Sequence, residues 1–334
     1  MARKIYQFQS KPRIISSASV AGKFESEGPL NAYFDLVSED SKFGMETWEK
    51  AEAELVRQCA ECAIKKADLD YESIDLSFAG DLTNQCAAST FGMKDKHIPY
   101  IGLYGACSTF ALSLGMASIA VDSGFAKIAL AEASSHFCSA ERQYRFPLEY
   151  GCQRPPSAQT TVTGAGCAIV ADFPEKHPFV SEFLPGIVVD LGICDANDMG
   201  SAMAPSCADT VQRYFELSEQ DPAQFDLILT GDLGKVGHSV FLDLCKEKGL
   251  DLEKNSNDCG KLIYDFEKQD VNSGGSGCGC SASVFSGYIL DGFRKSKFKN
   301  VLLIGTGALL NATSVLQKET IPGISHLVHI QMEE

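Results

Sequence analysis

The feature that most constrains the fold of this 334-residue chain is an internal duplication. At a shift of 151 positions, the segment Gly80-Asp81-Leu82 falls on Gly231-Asp232-Leu233. At a shift of 173 positions, Cys107-Ser108 falls on Cys280-Ser281, and the strand-like run 127–130 falls on 300–303. Two matches in the same order indicate that each half is a βαβ-type unit. We therefore expect residues 1–175 and 176–334 to form two related halves of an α/β protein.

Charge and composition exclude several classes of function. The formal net charge of −15 argues against nucleic-acid binding and against electrostatic docking on an anionic membrane. No apolar run approaches the ~20 residues of a membrane-spanning helix, and the N-terminus lacks the pattern of a signal peptide. We therefore expect neither a signal peptide nor a transmembrane segment, and any membrane association would be peripheral. The acidic stretch 22–42 is predicted to be a polar loop outside the core.

The 13 cysteines are odd in number and lie in apolar and helical segments, which favours reduced thiols. Cys59 and Cys62 form a C-x-x-C pair, but they fall on one face of an amphipathic helix that Thr47 is predicted to cap and that ends near Lys66. The sequence has no second pair with the spacing of metal ligands. We expect neither a metal site nor a cofactor.

The segment Tyr104-Gly105-Ala106-Cys107-Ser108 lies between an apolar run and a run of small residues, which predicts a strand, a tight turn and a buried helix. Gly105 would allow the backbone to turn sharply. Free N–H groups at the start of the helix would then lower the pKa of the Cys107 thiol or hold an anion. The alternative is a buried structural cysteine, which is the commoner role for any one cysteine of such a chain.

Four segments give the chain a resemblance to the thiolase and ketoacyl-synthase superfamily. They are Tyr104-Gly105-Ala106-Cys107-Ser108, the run 127–135, Thr163-Gly164-Ala165-Gly166-Cys167-Ala168, and Gly277-Cys278-Gly279-Cys280-Ser281-Ala282-Ser283. The resemblance implies a five-layer αβαβα fold of two duplicated halves, with the active site between them. It also implies a homodimer that pairs through the strand before the cysteine, here residues 98–103.

Further segments narrow the resemblance to a sporulation family of spore-forming bacteria. They are Tyr33-Phe34-Asp35, Ser134-Ser135-His136-Phe137 and the run 153–160. That family is associated with binding dipicolinic acid (pyridine-2,6-dicarboxylate) and with its uptake into the developing spore. The resemblance implies a ligand that is the free acid or its calcium chelate. It also implies that membrane channel components of the same sporulation system are partners, and that the protein lies peripherally on the cytoplasmic face of the forespore or spore inner membrane.

Condensing enzymes of the superfamily pair the cysteine with a histidine of the second half, and with an asparagine or second histidine of a late glycine-rich loop. Aligned by strand and loop, these positions are Gly231 and Cys278. Glycine has no side-chain donor and a thiol is a weak one. We therefore expect a binding protein without the machinery of acyl condensation, unless His238 reaches the site from its helix.

A flat ligand with two carboxylates needs donors at both ends. The backbone N–H groups of Cys107 and Ser108 would suit one carboxylate. An arginine of the loop after His136 (Arg142, Arg145 or Arg154) would suit the other, because guanidinium binds carboxylate in a bidentate fork. His136 itself ends a central strand, where open α/β sheets bind ligands. The predicted ligand-binding residues are Cys107, Ser108, Asn84, His136, Arg145, Gly231, Asp232, His238 and Cys278.

Two other functions are compatible with the sequence. A residual acyltransferase or thioesterase would form an acyl-Cys107 intermediate from an acyl-CoA, with His136 or His238 as the base. A purely structural role in a channel complex would need no small-molecule ligand. The three functions differ in what they require around the Cys107 thiol.

Overall fold

The computed structural model describes residues 4–144 and 154–333. The strands are β1 (Tyr6–Gln7), β2 (Arg13–Gly22), β3 (Leu36–Ser38), β4 (Leu76–Gly80), β5 (Tyr100–Gly102), β6 (Ile128–Ser135), β7 (Thr160–Thr161), β8 (Gly164–Ala171), β9 (Phe179–Leu184), β10 (Leu227–Thr230), β11 (Ser256–Asp258), β12 (Gly275–Ser276), β13 (Asn300–Ala308) and β14 (Gly323–Gln331). The α-helices are α1 (Lys23–Ser26), α2 (Trp48–Lys66), α3 (Ala87–Met93), α4 (Thr109–Asp122), α5 (Phe137–Tyr144), α6 (Met199–Ser218), α7 (Gly234–Glu247), α8 (Cys259–Leu262), α9 (Cys278–Val284), α10 (Leu290–Arg294) and α11 (Ala312–Leu316).

The two halves repeat one strand order. In chain order, the five main strands of the first half are β2, β4, β5, β6 and β8, and those of the second half are β9, β10, β11, β13 and β14. If the five strands of a half are numbered one to five along the chain, their order across the sheet, from its outer edge inward, is three, two, four, five, one in both halves. In both, the third, second and fourth strands are parallel neighbours, and the fifth is antiparallel to the fourth and the first. The sets join where Arg13 of β2 pairs with Phe179 of β9. The boundary expected between residues 175 and 176 lies in the segment between β8 and β9.

Helices form three layers around the two strand sets. The middle layer contains α4, which contacts β4 and β6 of the first half as well as β13 and β14 of the second. On the outer sides, α2 packs on the first strand set and α6 on the second. The resulting order of helix, sheet, helix, sheet, helix confirms the predicted thiolase-like αβαβα fold.

The helix that follows the cysteine is apolar on all sides. Phe110 and Leu114 of α4 are fully buried, as expected for a helix enclosed between two sheets. This position puts Cys107, two residues before α4 begins, at the boundary between the halves. No helix in the described part of the chain has both the length and the apolarity to cross a membrane.

Of two predictions about the first hundred residues, the helix cap at Thr47 is confirmed and the loop at 22–42 is wrong. Thr47 caps α2 as predicted, since its side chain accepts a hydrogen bond of 3.3 Å from the backbone N–H of Lys50. The stretch 22–42, however, is not a loop outside the core. It contains α1 and β3, and the side chains of Glu25 and Leu30 are buried.

Candidate functional site

The turn before α4 holds the Cys107 thiol in place through one unusual backbone conformation and one close approach. Ala106 has a φ of +50°, a left-handed conformation that costs a non-glycine residue about 1–2 kcal/mol. Gly105 is required for a different reason than predicted: a Cβ there would lie 2.7 Å from the Ser108 Oγ. The residue that reverses the chain is therefore Ala106, and Gly105 allows the close approach of Ser108.

A strand of the second half supports this turn from behind. A Cβ on Gly307 of β13 would lie 2.4 Å from the Gly105 carbonyl oxygen, and a Cβ on Gly305 would lie 2.7 Å from the Ala111 Cβ. The backbone of β13 thus contacts the Cys107 turn directly. Neither glycine was among the residues predicted for the site.

The Asp232 carboxylate organises the polar groups beside the thiol. Its Oδ2 accepts hydrogen bonds from the Ser276 Oγ (3.1 Å) and the Gly277 backbone N–H (2.8 Å), and its Oδ1 accepts one from the Thr306 Oγ1 (2.6 Å). The Cys107 Sγ lies 4.0 Å from the same Ser276 Oγ. The loops after β10 and before α9 therefore meet at Cys107, and Asp232, one of the residues predicted to bind ligand, lies there.

The electrostatics keep the thiol protonated. Burial raises the pKa of Cys107 well above its usual value, and the neighbouring Asp232 carboxylate raises it further. Burial also raises the pKa of Asp232, to about 6. The predicted anion site at this turn is not available at Ser108, because the Ser108 N–H and Oγ both donate to the Gly105 carbonyl oxygen, at 3.1 and 2.6 Å.

The two positions that the sequence aligns with catalytic partners, Gly231 and Cys278, are closely packed. A Cβ on Gly231 would lie 3.0 Å from the Thr306 backbone nitrogen, so a larger side chain would fit only if β13 moved. The Cys278 thiol donates to the Ser134 carbonyl oxygen at 2.9 Å, and burial raises its pKa well above the usual value.

Two other predicted residues lie apart from the thiol. The His238 Nε2 is 2.9 Å from the Ser256 Oγ and its Nδ1 is 3.2 Å from the Lys261 Nζ. Burial lowers the pKa of His238 to about 3, and it does not line the cavity at Cys107. Asn84 is exposed, and its backbone N–H donates to the Gln143 Oε1 at 3.1 Å. Arg145 lies outside the described residues.

The space in front of Cys107 is narrow. A cavity of about 30 Å³ reaches the thiol, which is room for roughly two water molecules. At its mouth the hydroxyls of Tyr104 and Tyr144 are 3.2 Å apart. The lining residues are Leu82, Tyr104, Ala106, Cys107, Ala140, Glu141, Tyr144, Thr161, Met199, Ser276, Ala308 and Leu310.

A larger cavity of about 700 Å³ lies next to it. We call it the Arg154 cavity, and its lining residues are Gly22, Lys23, Phe24, Glu25, Glu27, Ser41, His136, Phe137, Cys138, Arg154, Thr160, Thr161, Thr163, Asp270 and Asn272. Thr161 lines both cavities. The Arg154 Nη2 is 3.1 Å from the Oε2 of the buried Glu141, which lines the Cys107 cavity. The Arg154–Glu141 ion pair therefore forms part of the wall between the two spaces.

His136 belongs to the wall of the Arg154 cavity and supports it. Its Nε2 is 2.8 Å from the Ser41 carbonyl oxygen, and its Nδ1 accepts a hydrogen bond of 3.1 Å from the Cys138 N–H. Its ring also lies against Trp48, with centroids 5.6 Å apart. Burial lowers the pKa of His136. Both ring nitrogens are thus engaged by the backbone, which leaves the histidine neither a base nor a free donor.

Sequence reasoning missed four polar residues of this region: Glu25, Glu141, Ser276 and Thr306. Glu25 was missed because it lies in the stretch 22–42, which the sequence predicts to be a polar loop. Thr306 lies between Gly305 and Gly307 inside an apolar strand. Glycines within a strand often mark a place where another backbone approaches closely, and this was the one signal in the sequence that pointed to Thr306. Within residues 4–144 and 154–333, no three His, Cys, Asp or Glu side chains are placed to hold a metal ion.

Comparison with known proteins gives the family. The family model described as Stage V sporulation protein AD matches residues 2–331. The chain is 42% identical over 324 residues to stage V sporulation protein AD of Bacillus subtilis strain 168, covering 97% of this chain and 95% of that protein.

Solved structures of condensing enzymes share the fold. The 3-oxoacyl-(acyl-carrier-protein) synthase III of Aquifex aeolicus matches with a TM-score of 0.58 at 16% identity, covering 96% of this chain and 99% of that one. Cerulenin-bound OleA of Xanthomonas campestris matches with a TM-score of 0.61 at 14% identity, covering 98% of each chain. At such identities these matches show the thiolase-like fold alone. Together with the family match, they establish that the chain belongs to the stage V sporulation protein AD family, a sporulation family built on a thiolase-like fold.

Proposed function

We propose that this protein binds dipicolinic acid, as the free acid or its calcium chelate, for uptake into the developing spore, and that the ligand lies in the Arg154 cavity. The observation that carries the placement is a guanidinium group in the wall of a cavity of about 700 Å³. Dipicolinic acid has twelve non-hydrogen atoms, and small-molecule pockets commonly span roughly 300–1,000 Å³. The cavity of about 30 Å³ at Cys107 is too small for it.

Arg154 is oriented before a ligand arrives. Its guanidinium lies 5.2 Å from the centroid of the Phe137 ring, and its Nη1 donates to the Gln159 carbonyl oxygen at 3.2 Å. Its Nη2 also contacts Glu141. A guanidinium group has five N–H donors, so the bonds to Gln159 and Glu141 leave some of them for a ligand. The remaining N–H groups can donate to one carboxylate of the ligand, while the hydroxyls of Thr160 and Thr163 and the Asn272 amide lie along the same cavity.

The setting of Cys107 supports a binding role over acyl transfer. A thiol with a raised pKa is mostly neutral near pH 7 and is a poor nucleophile. Among the described residues, no histidine lines its cavity. The alternative, an acyl-Cys107 intermediate, is tested by incubation with an acyl-CoA and intact-mass measurement. A stable adduct that is absent from Cys107→Ala would support the enzyme.

The family match supports, as proposals, a location and a set of partners. We propose a peripheral position on the cytoplasmic face of the forespore or spore inner membrane, reached through channel components of the same sporulation system. A homodimer is proposed through β5, which pairs with β4 in the described sheet and forms its edge. Ile101 on this strand is 42% exposed, and an exposed apolar edge strand is a common pairing surface.

The decisive experiment is calorimetric titration with dipicolinate, with and without calcium, of the wild type and Arg154→Ala. Loss of a charge-assisted bond costs about 1.5–3 kcal/mol, so we expect affinity to fall roughly 10-fold or more. Arg154→Lys keeps the charge but loses the bidentate geometry of the guanidinium, so its affinity should lie between those of Arg154→Ala and the wild type. Arg142→Ala is the matched control, because Arg142 pairs with Glu49 at the surface and does not line the cavity.

Two outcomes would contradict the placement. Unchanged affinity in a folded Arg154→Ala protein would exclude the Arg154 cavity. A loss in Cys107→Ala as large as in Arg154→Ala would put the ligand against the thiol instead, whereas our placement predicts a change of less than about threefold, within the scatter of neutral contacts. Absence of saturable binding by the wild type would favour the purely structural role.

A further inference from the structure

Glu25 is a buried carboxyl group whose two oxygens differ in their hydrogen bonding. It lies on α1 in the wall of the Arg154 cavity and is 2% exposed. Its Oε1 accepts hydrogen bonds from the Thr163 backbone N–H at 3.0 Å and from the Tyr264 hydroxyl at 2.5 Å. Its Oε2 is buried and has no hydrogen-bond partner among the described residues. A buried polar atom without a partner is uncommon and costly.

This asymmetry determines where a proton would reside. Because Oε1 already accepts two hydrogen bonds, a proton on the carboxyl group occupies Oε2 and creates a buried O–H donor without an acceptor. Burial raises the pKa of Glu25 to about 7, against the opposing effect of the Tyr264 and Thr163 hydrogen bonds. Both protonation states are therefore populated near neutral pH. A ligand that supplies the missing partner will select one of them.

The cavity is surrounded by charges of both signs, and its interior cation, Arg154, is paired with the buried Glu141. Lys23, Glu27 and Asp270 are exposed at the rim of the cavity, whereas Arg154 is half-buried. His136 is neutral, since burial lowers its pKa. The titratable and charged groups that face Glu25 or belong to the walls of its cavity are Tyr264, Arg154, Glu141, His136, Cys138, Lys23, Glu27 and Asp270.

We infer that Glu25 is a specificity-determining residue that binds the ligand as a neutral acid, donating its Oε2–H to a carboxylate oxygen or ring nitrogen of an anionic acceptor. This inference rests on the proposed function, because it assigns a second group in the lining of the cavity to which Arg154 belongs. Binding then takes up one proton from solvent whenever Glu25 is ionised beforehand. No covalent bond changes.

The test is calorimetric titration with dipicolinate at pH 6, 7 and 8 in pairs of buffers with different ionisation enthalpies. Over this range the carboxyl groups of the ligand stay ionised. With a Glu25 pKa of about 7, the competent fraction falls from about nine-tenths at pH 6 to about one-tenth at pH 8, so affinity falls about tenfold. Proton uptake rises over the same interval. Glu25→Gln keeps a donor but cannot titrate, and should show neither effect.

Two more variants make the result specific. Tyr264→Phe removes a hydrogen bond that lowers the pKa of Glu25, so the pH midpoint of binding should move upward. It also replaces Glu25→Gln as the test if that protein does not fold. Glu46→Gln is the matched control, because Glu46 is an exposed acid that pairs with Lys50 and does not line the cavity, and it should retain the tenfold dependence.

The outcomes separate this inference from the proposed function. If the wild type binds dipicolinate with no proton uptake and no pH dependence, or if Glu25→Gln keeps the tenfold fall, the inference is wrong while the proposed function survives. Proton release would mean that Glu25 binds as a carboxylate to a cation, which also overturns it. No binding at any pH would overturn both.

Discussion

Glu52 provides a sharp test of how burial governs the acids around this site. It lies on α2 and is fully buried. Its carboxyl oxygens accept hydrogen bonds from the Ser134 hydroxyl at 3.2 Å and from the Ser139 hydroxyl. Burial raises its pKa to about 8, and the charge of Asp81 contributes to the shift. We predict that Glu52→Gln makes the protein more stable at neutral pH.

The sign and size follow from proton linkage. In the unfolded chain Glu52 loses its proton near pH 4.5, but in the native state it holds the proton to about pH 8. The native state therefore binds the extra proton between these values, and stability falls as pH rises through the interval. At ~1.4 kcal/mol per pH unit, the cost at pH 7 is about 3 kcal/mol. Glutamine removes this cost, less whatever its amide loses in hydrogen bonding with the two serines.

The assay is urea unfolding of both proteins at pH 5, 6, 7 and 8. The difference in the free energy of unfolding should be small at pH 5 and should grow by about 1 kcal/mol per pH unit up to pH 8. Glu54→Gln is the matched control on the same helix, because hydrogen bonds from Arg57 and Gln58 outweigh burial and lower the pKa of Glu54. A difference that is the same at pH 5 and pH 8 would refute the reasoning.

Two further predictions concern the turn. Iodoacetamide at pH 7 should label the exposed Cys194 much faster than Cys107, because burial and Asp232 raise the pKa of the Cys107 thiol; peptide mapping that finds Cys107 labelled first would contradict this. Gly307→Ala should lower the free energy of unfolding by roughly 1–3 kcal/mol, since its Cβ would lie 2.4 Å from the Gly105 carbonyl oxygen. Denaturant unfolding measures the loss, and an unchanged midpoint would show that β13 can withdraw from the turn.

The repeated positions predicted the architecture better than the site. The match of Gly80-Asp81-Leu82 to Gly231-Asp232-Leu233 identified equivalent strand ends, because a duplicated strand keeps both its apolar pattern and its turn. The strand order in the two halves follows from that duplication. The duplication also identified Asp232 as the end of a strand, whereas its three hydrogen bonds beside Cys107 were not predicted.

The site could not be predicted in detail because its decisive residues are far apart in sequence and locally ordinary. His136 stands at the expected strand end, yet backbone groups occupy both of its nitrogens. His238 faces Lys261 from the neighbouring α8, a contact that no local pattern reports. Glu25 looks like a surface acid in a polar stretch, and only the packing of Tyr264 and Thr163 against it reveals the burial. Such facts depend on tertiary neighbours.

The contact between Gly307 and the Cys107 turn has a consequence for how the protein can be divided. The sulfur is supplied by residues of the first half, but the surface against which its turn rests is the backbone of β13 in the second. The Asp232 carboxylate beside it also comes from the second half, and it is bound there by Ser276 and Thr306. Neither half expressed alone would contain the Cys107 site even if it folded, so separately purified halves would restore the surroundings of the thiol only to the extent that the interface between them re-forms.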